Sequence, residues 1–269
     1  MYKEHWGNLV ANLWRYSMAK TFFYDNFDLE GATIDAGSFS GITFTSSAGI
    51  VTGENKIIDN TIASTVTSYS INDAIKITTP KSRPASFLAL YFTGSETDNL
   101  TFNRGVATNT FEQIINITTD FTAGWNISTF TETSSSNEFF LNATSGTVSN
   151  LSEVLFGKTL EFEINPDLGI AESEKFGTDV NTSLGGFQYG VKRHEPIKTT
   201  TLTFSSISST FKSSLQAMQD EIQDYKKFIY SEDGTTGPFH YVRLGKPIDF
   251  KEVSVNRFSC TINLVEQLS

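Results

Sequence analysis

The feature that most constrains this chain is an apolar stripe between residues 211 and 229. Phe211, Leu215, Met218, Ile222, Tyr225 and Ile229 recur at spacings of four, three, four, three and four. That is the 3.6-residue period of a helix with one buried face. Lys212, Gln216, Gln219, Asp220, Gln223 and Lys226 fill the other face. Ser208 or Ser209 is the expected N-cap, because a hydroxyl satisfies the free amides of a first turn. Residues 198–204 ahead of the helix read as a strand. Residues 233–238, with Gly234, Gly237 and Pro238, read as a turn. Residues 239–244 and 257–264 then alternate apolar and polar, as half-buried strands do. The expected last domain is an antiparallel sheet packed with one long amphipathic helix. It carries no acid, base or ligand cluster, which points to assembly and away from catalysis.

The stretch from residue 22 to 157 reads as all-β. Short apolar runs at 42–44, 74–78 and 86–92 are separated by Gly, Asn, Asp, Ser and Pro. Many short strands at such intervals predict a β-sandwich of jelly-roll type. Residues 87–92 are almost wholly apolar and predict a central strand covered on both faces. Residues 131–137 are expected to form a mobile loop. Residues 150–157 read as a junction, 158–165 as the first strand of the last domain, and 172–184 as a polar loop bounded by glycine. Three segments follow: an N-terminal arm at 1–21, a sandwich at 22–151 and a β+α domain at 152–269. Within the arm, Trp6, Leu9, Val10, Leu13 and Trp14 share one helical face and are candidate subunit contacts. Two readings stand for residues 1–17: a docking arm, or the product of a start site upstream of Met18.

With 269 residues, 38% of them hydrophobic, the chain can bury substantial cores, and only 19% of it is charged. A net charge of −10 opposes phosphate backbones, so nucleic acid is excluded as a partner. Surplus acid also keeps subunits soluble until a specific interface forms. One cysteine, Cys260, excludes a disulfide framework, and its inward set with Phe258, Ile262 and Leu264 makes it a core residue. No apolar run is long enough to span a bilayer, and no secretory h-region opens the sequence. The expected folding compartment is a reducing cytoplasm.

Chemistry-bearing residues are sparse. The three histidines, His5, His194 and His240, have no partner at metal-ligand spacing. His194 falls in a charged run before Pro196 that reads as a turn, and His240 in a strand. The carboxylate pairs Asp220–Glu221 and Glu172–Glu174 lie on a solvated helix face and in the polar loop. Neither has the rigid cross-cleft placement that glycoside chemistry needs. No catalytic residue, cofactor or metal is expected. Trp125, between Gly124 and Asn126, has two readings: a plug in the sandwich core, or an aromatic platform for a sugar.

Two segments bear resemblances. Residues 185–189, 192–194, 200–207, 228–229, 232–234 and 237–244, with the closing strand around Phe258, resemble the distal-tail and minor-tail proteins of phage tail tips. That likeness implies a virion structural protein, assembled in the host cytoplasm, which forms a hexameric ring between tail-tube and tail-hub proteins. Residues 46–60, 70–77 and 85–92 are similar to galactose-binding-like jelly rolls. That likeness implies a host-surface glycan as a further partner. The alternative reading is a carbohydrate-binding or cell-surface adhesion module.

Overall fold

A computed structural model describes residues 20–27, 29–37, 69–70, 74–97, 99–107, 110–118, 120–143, 147–148, 150–182 and 186–267. The candidate arm residues Trp6, Leu9, Val10, Leu13 and Trp14, and His5, lie outside the described residues. The protein is mainly β and divides into two compact units. One comprises Phe23–Thr159. The other comprises the described residues within Leu160–Leu268, with residues 20–22.

The first unit is a sandwich of antiparallel sheets. Its larger sheet has the order β2 (Thr33–Gly37), β4 (Ala74–Arg83), β9 (Ser136–Ala143), β6 (Leu100–Ala107), β7 (Thr110–Ile117). Facing it, β5 (Phe87–Phe92) lies between β8 (Gly124–Thr129) and β11 (Leu151–Glu161). β5 is the predicted central strand, and five of its six residues are buried. A short pair, β3 (Tyr69–Ser70) with β10 (Thr147–Val148), completes the unit.

Phenylalanine holds the two layers together. Phe156 of β11 reaches Phe139 of β9 at 4.7 Å and Phe102 of β6 at 5.3 Å between ring centroids. Phe27 touches both Phe139 and Phe156 at about 5 Å. Rings in this geometry contribute about 0.5–1.5 kcal/mol per pair beyond the area they bury. Asp25 holds the chain leading to Phe27: its carboxylate accepts the amides of Phe27 at 2.6 Å and Leu29 at 2.8 Å.

The second unit is one sheet backed by one helix. The sheet order is β12 (Ala171–Thr182), β13 (Gln188–Ser208), β17 (Arg257–Glu266). Beyond β17 lie β15 (Phe239–Leu244), then β14 (Phe228–Ser231), while β16 (Asp249–Ser254) pairs with the other end of β17. Helix α1 (Ser209–Ile222) buries Phe211, Leu215, Met218 and Ile222. Ser208 is the N-cap: its Oγ accepts the Phe211 amide at 3.0 Å. Under the helix, Phe162 packs edge-on against Phe22 at 4.7 Å and Phe204 at 5.5 Å. Cys260 is buried beside them, and burial pushes its thiol up to about 11.

Five sequence expectations need correction. The helix stops at Ile222, because Gln223 takes a positive φ of 50° and its amide caps back onto the Gln219 carbonyl. Tyr225 is therefore exposed, and Ile229 is buried in β14 instead of on the helix. Residues 172–182, expected as a loop, form β12. Residues 192–195, expected as a charged turn, continue β13 without a break. Residues 151–157, expected as a junction, are the buried start of β11, and the compact units divide later in that strand. The loop at 131–137 ends early, since β9 begins at Ser136.

Candidate functional site

Among the described residues, the ribbon of β12 and β13 extends beyond the rest of its sheet. β13 pairs with β17 only from Thr199 onward, whereas its first half, Gln188–Ile197, pairs with β12 alone. At about 3.3 Å per residue, that half reaches roughly 35 Å. The cross-strand pairs Val180–Gly190 and Asn181–Tyr189 put Val180 on one face and Tyr189 on the other, with Val191 beside Tyr189. All three are exposed, and Phe176 stands 70% exposed where the register shifts. A two-stranded ribbon is at best marginally stable alone in water. Large apolar residues are exposed on both of its faces.

Charge pairs, two of them cross-strand and one within β13, line the ribbon. Arg193 Nε donates to Asp179 at 2.6 Å, and Lys192 pairs with Glu195. Lys198 Nζ pairs with Glu172 at 2.9 Å, which raises the ammonium above its usual range. These pairs are exposed, so each is worth under about 1 kcal/mol. His194 has a steric part. Its ring lies over Gly177, where an added Cβ would meet Nδ1 at 2.4 Å. A larger residue there would require the exposed His194 ring to shift.

His240 sits at the base of the sheet, with Nε2 3.3 Å from Glu232 and Nδ1 3.8 Å from Glu266. Its ring stacks on Tyr230 at 5.8 Å between centroids. Burial, with Glu232 nearby, pushes the Tyr230 phenol up. The two carboxylates lie at opposite nitrogens, so the group does not converge on a common ligand. Among the described residues, no group of three His, Cys, Asp or Glu side chains could hold a metal ion. No described helix is long and apolar enough to cross a membrane.

Trp125 is half-buried on β8. It lies opposite Tyr91 in the register, and the two rings meet edge-on at 5.2 Å. Phe156 lies opposite Leu88, and Tyr91 is three residues further along β5. Side chains alternate along a strand, so Tyr91 and Trp125 face away from the Phe156 core. Trp125 is thus not a plug between the two sheets. Nearby, Thr122 donates its amide to Asn126 Oδ1 at 3.1 Å, which fixes the turn into β8.

Sequence reasoning missed the ribbon residues Phe176, Val180, Tyr189 and Val191. A faint signal was present: Thr178, Val180 and Thr182, then Tyr189 and Val191, are β-branched or aromatic at every second position.

No family model and no curated protein matches the chain. Solved structures similar to it include a family 32 carbohydrate-binding module of a family 31 glycoside hydrolase from Clostridium perfringens. That module shows 12% identity over 50% of this chain and 100% of its own, with a TM-score of 0.38. Another is the family 32 module of Streptococcus pneumoniae EndoD, with 16% identity, 48% and 97% coverage and a TM-score of 0.37. A third is the family 32 module of C. perfringens NanJ in complex with galactose, with 14% identity, 51% and 98% coverage and a TM-score of 0.37. At these values the likeness says nothing about a ligand of this chain.

Proposed function

We propose that this protein is a structural assembly subunit: a ring-forming component of a long-tailed phage tail tip that joins tail tube to hub. The single observation behind this reading is the β12–β13 ribbon. It extends roughly 35 Å at about 3.3 Å per residue with exposed Phe176, Val180, Tyr189 and Val191 and no covering layer among the described residues. A neighbouring copy that received the ribbon would bury those residues, and repeating that contact about an axis closes a ring. The mechanism needs no reacting group. The resemblance of residues 185–244 to tail-tip proteins supports the same reading.

The test is sedimentation of the full chain with and without purified tail-tube protein. The expected result is a closed oligomer of defined mass, lost in the Phe176→Ser/Tyr189→Ser double variant while the fold is kept. Wild-type protein that stays monomeric in both settings would count against the reading.

A second reading concerns the sandwich alone: carbohydrate binding, as a glycan-facing module. The observation behind it is the pairing of Trp125 with Tyr91 on the face away from the Phe156 core. Loss of glycan-array binding in Trp125→Ala, with unchanged unfolding, is the result it expects.

A further inference from the structure

We propose that copies of this chain join by their strand edges: the free edge of β12 in one copy pairs with the free outer edge of β13 in the next. The ribbons then form one continuous antiparallel sheet. This pairing deepens the ring reading and rests on it.

β12 ends its sheet, and along Ala171–Thr182 it pairs with β13 alone. Its 12 residues make it the longest edge strand among the described residues; β2, β7, β8 and β16 have 5, 8, 6 and 6. In an antiparallel pair, alternate residues turn their N–H and C=O away from the partner strand. Along β12 those groups face outward, and a strand laid beside them would satisfy them. Proline, which guards many edges, is absent from β12, and 11 of its 12 residues are exposed. β13 offers a second edge. Gln188–Ile197 pairs with β12 on one side, and β17 joins on the other side only from Thr199. Pro196 has no N–H to give, so the usable stretch of that edge is Gln188–Glu195.

Charge selects which edges meet. β12 carries Glu172, Glu174 and Asp179 against Lys175, whereas the outer half of β13 carries Lys192 and Arg193 against Glu195. Pairing β12 with its own copy would set acid against acid, and β13 with its own copy base against base. Like charges opposite one another across strands are unfavourable. Pairing β12 with β13 of the next copy sets acid against base. The pairs within one ribbon, Arg193–Asp179 and Lys192–Glu195, are exposed and leave each group open to a neighbour's charge. The contact is head-to-tail, so it can repeat about an axis. A row of ribbons keeps one free edge at each end until it closes, and closure pairs them all. The occupant of the β12 edge is therefore a second copy of this chain.

The test uses the full chain with and without purified tail-tube protein. Sedimentation reports whether a closed oligomer forms. Hydrogen–deuterium exchange then follows peptides covering 171–182 and 188–195. In the oligomer, the fast-exchanging amides of both segments should slow at least about tenfold against the monomer. Ser173→Lys/Asn181→Lys places two ammonium groups along β12 and leaves Phe176, Val180, Tyr189 and Val191 untouched. The yield of closed oligomer should fall at least about tenfold, as edge lysines oppose pairing, with an unchanged circular dichroism spectrum. A closed oligomer whose β12 amides exchange as in the monomer overturns the edge pairing and leaves the ring reading standing. So does an oligomer undiminished in the lysine variant. Protection of β12 without 188–195 would assign the edge to another chain or to a two-fold dimer, and also overturns the proposal. Absence of any oligomer in both settings removes the edge pairing and the ring reading together.

Discussion

Gly157 lies against the backbone of Tyr24: a Cβ added there would stand 2.2 Å from the Tyr24 carbonyl oxygen. Backbone cannot swing aside as a flexible side chain can. Gly157→Ala should therefore force β11 away from its place and destabilise the sandwich by about 1–3 kcal/mol or more. Urea unfolding checks this. An unchanged midpoint would show that the close approach is relieved at no cost.

Leu215 and Ile222 have no exposed surface and sit on the sheet side of α1. Truncation of either to alanine should cost about 2–5 kcal/mol, through lost transfer energy plus the cavity left behind. Tyr225→Ala is the internal control. Tyr225 lies past the helix end and is exposed, so the change should stay within about 0.5 kcal/mol. Equal effects at all three positions would contradict the helix boundary at Ile222.

Ser208 does two jobs at the start of the helix. Its Oγ accepts the Phe211 amide and donates to Glu163 Oε2 at 2.5 Å, and its own amide donates to Glu163 Oε1. Ser208→Ala should cost about 0.5–2 kcal/mol. Glu163→Gln keeps the acceptor geometry on one side and should cost less. Thermal unfolding of the two variants side by side separates the cap from its carboxylate partner.

The Cys260 thiol, raised by burial to about 11, gives a pH dependence with a definite sign. Below about 8.5 the thiol is protonated in both folded and unfolded chains and contributes no slope. Between there and about 11 the unfolded chain loses its proton first, so stability falls as pH rises. Cys260→Ala should remove that part of the alkaline slope. In the native protein at neutral pH, modification by a thiol reagent should be slow and limited by opening of the sheet. Fast labelling under native conditions would contradict the burial.

The sequence made the helix-backed unit legible because α1 buries one stripe and leaves the other face wet. Phe211, Leu215, Met218 and Ile222 had to share a face. The central strand at residues 87–92 was legible for a similar reason: a strand covered on both faces must be apolar throughout. Most of the ribbon was not legible, and the cause is physical. Neither face of its outer half is buried among the described residues, so the alternation is selected only faintly, and Glu172, Glu174, Lys192 and Glu195 read as loop. Tyr225 misled for the opposite reason. It continues the stripe in sequence, but Gln223 turns the chain before the helix can use it. Trp125 could be read either as core or as platform, since only the cross-strand register with Tyr91 shows which face it takes.

The central claim is that the β12–β13 ribbon builds a ring, and an image of the assembled particle at subunit resolution tests it most directly. The account predicts several copies of this chain in a closed ring, with Phe176, Val180, Tyr189 and Val191 buried against neighbours and well over about 1,000 Å² buried per interface. A single copy per particle, absence from the particle, or a ring in which those four side chains remain in solvent would contradict it.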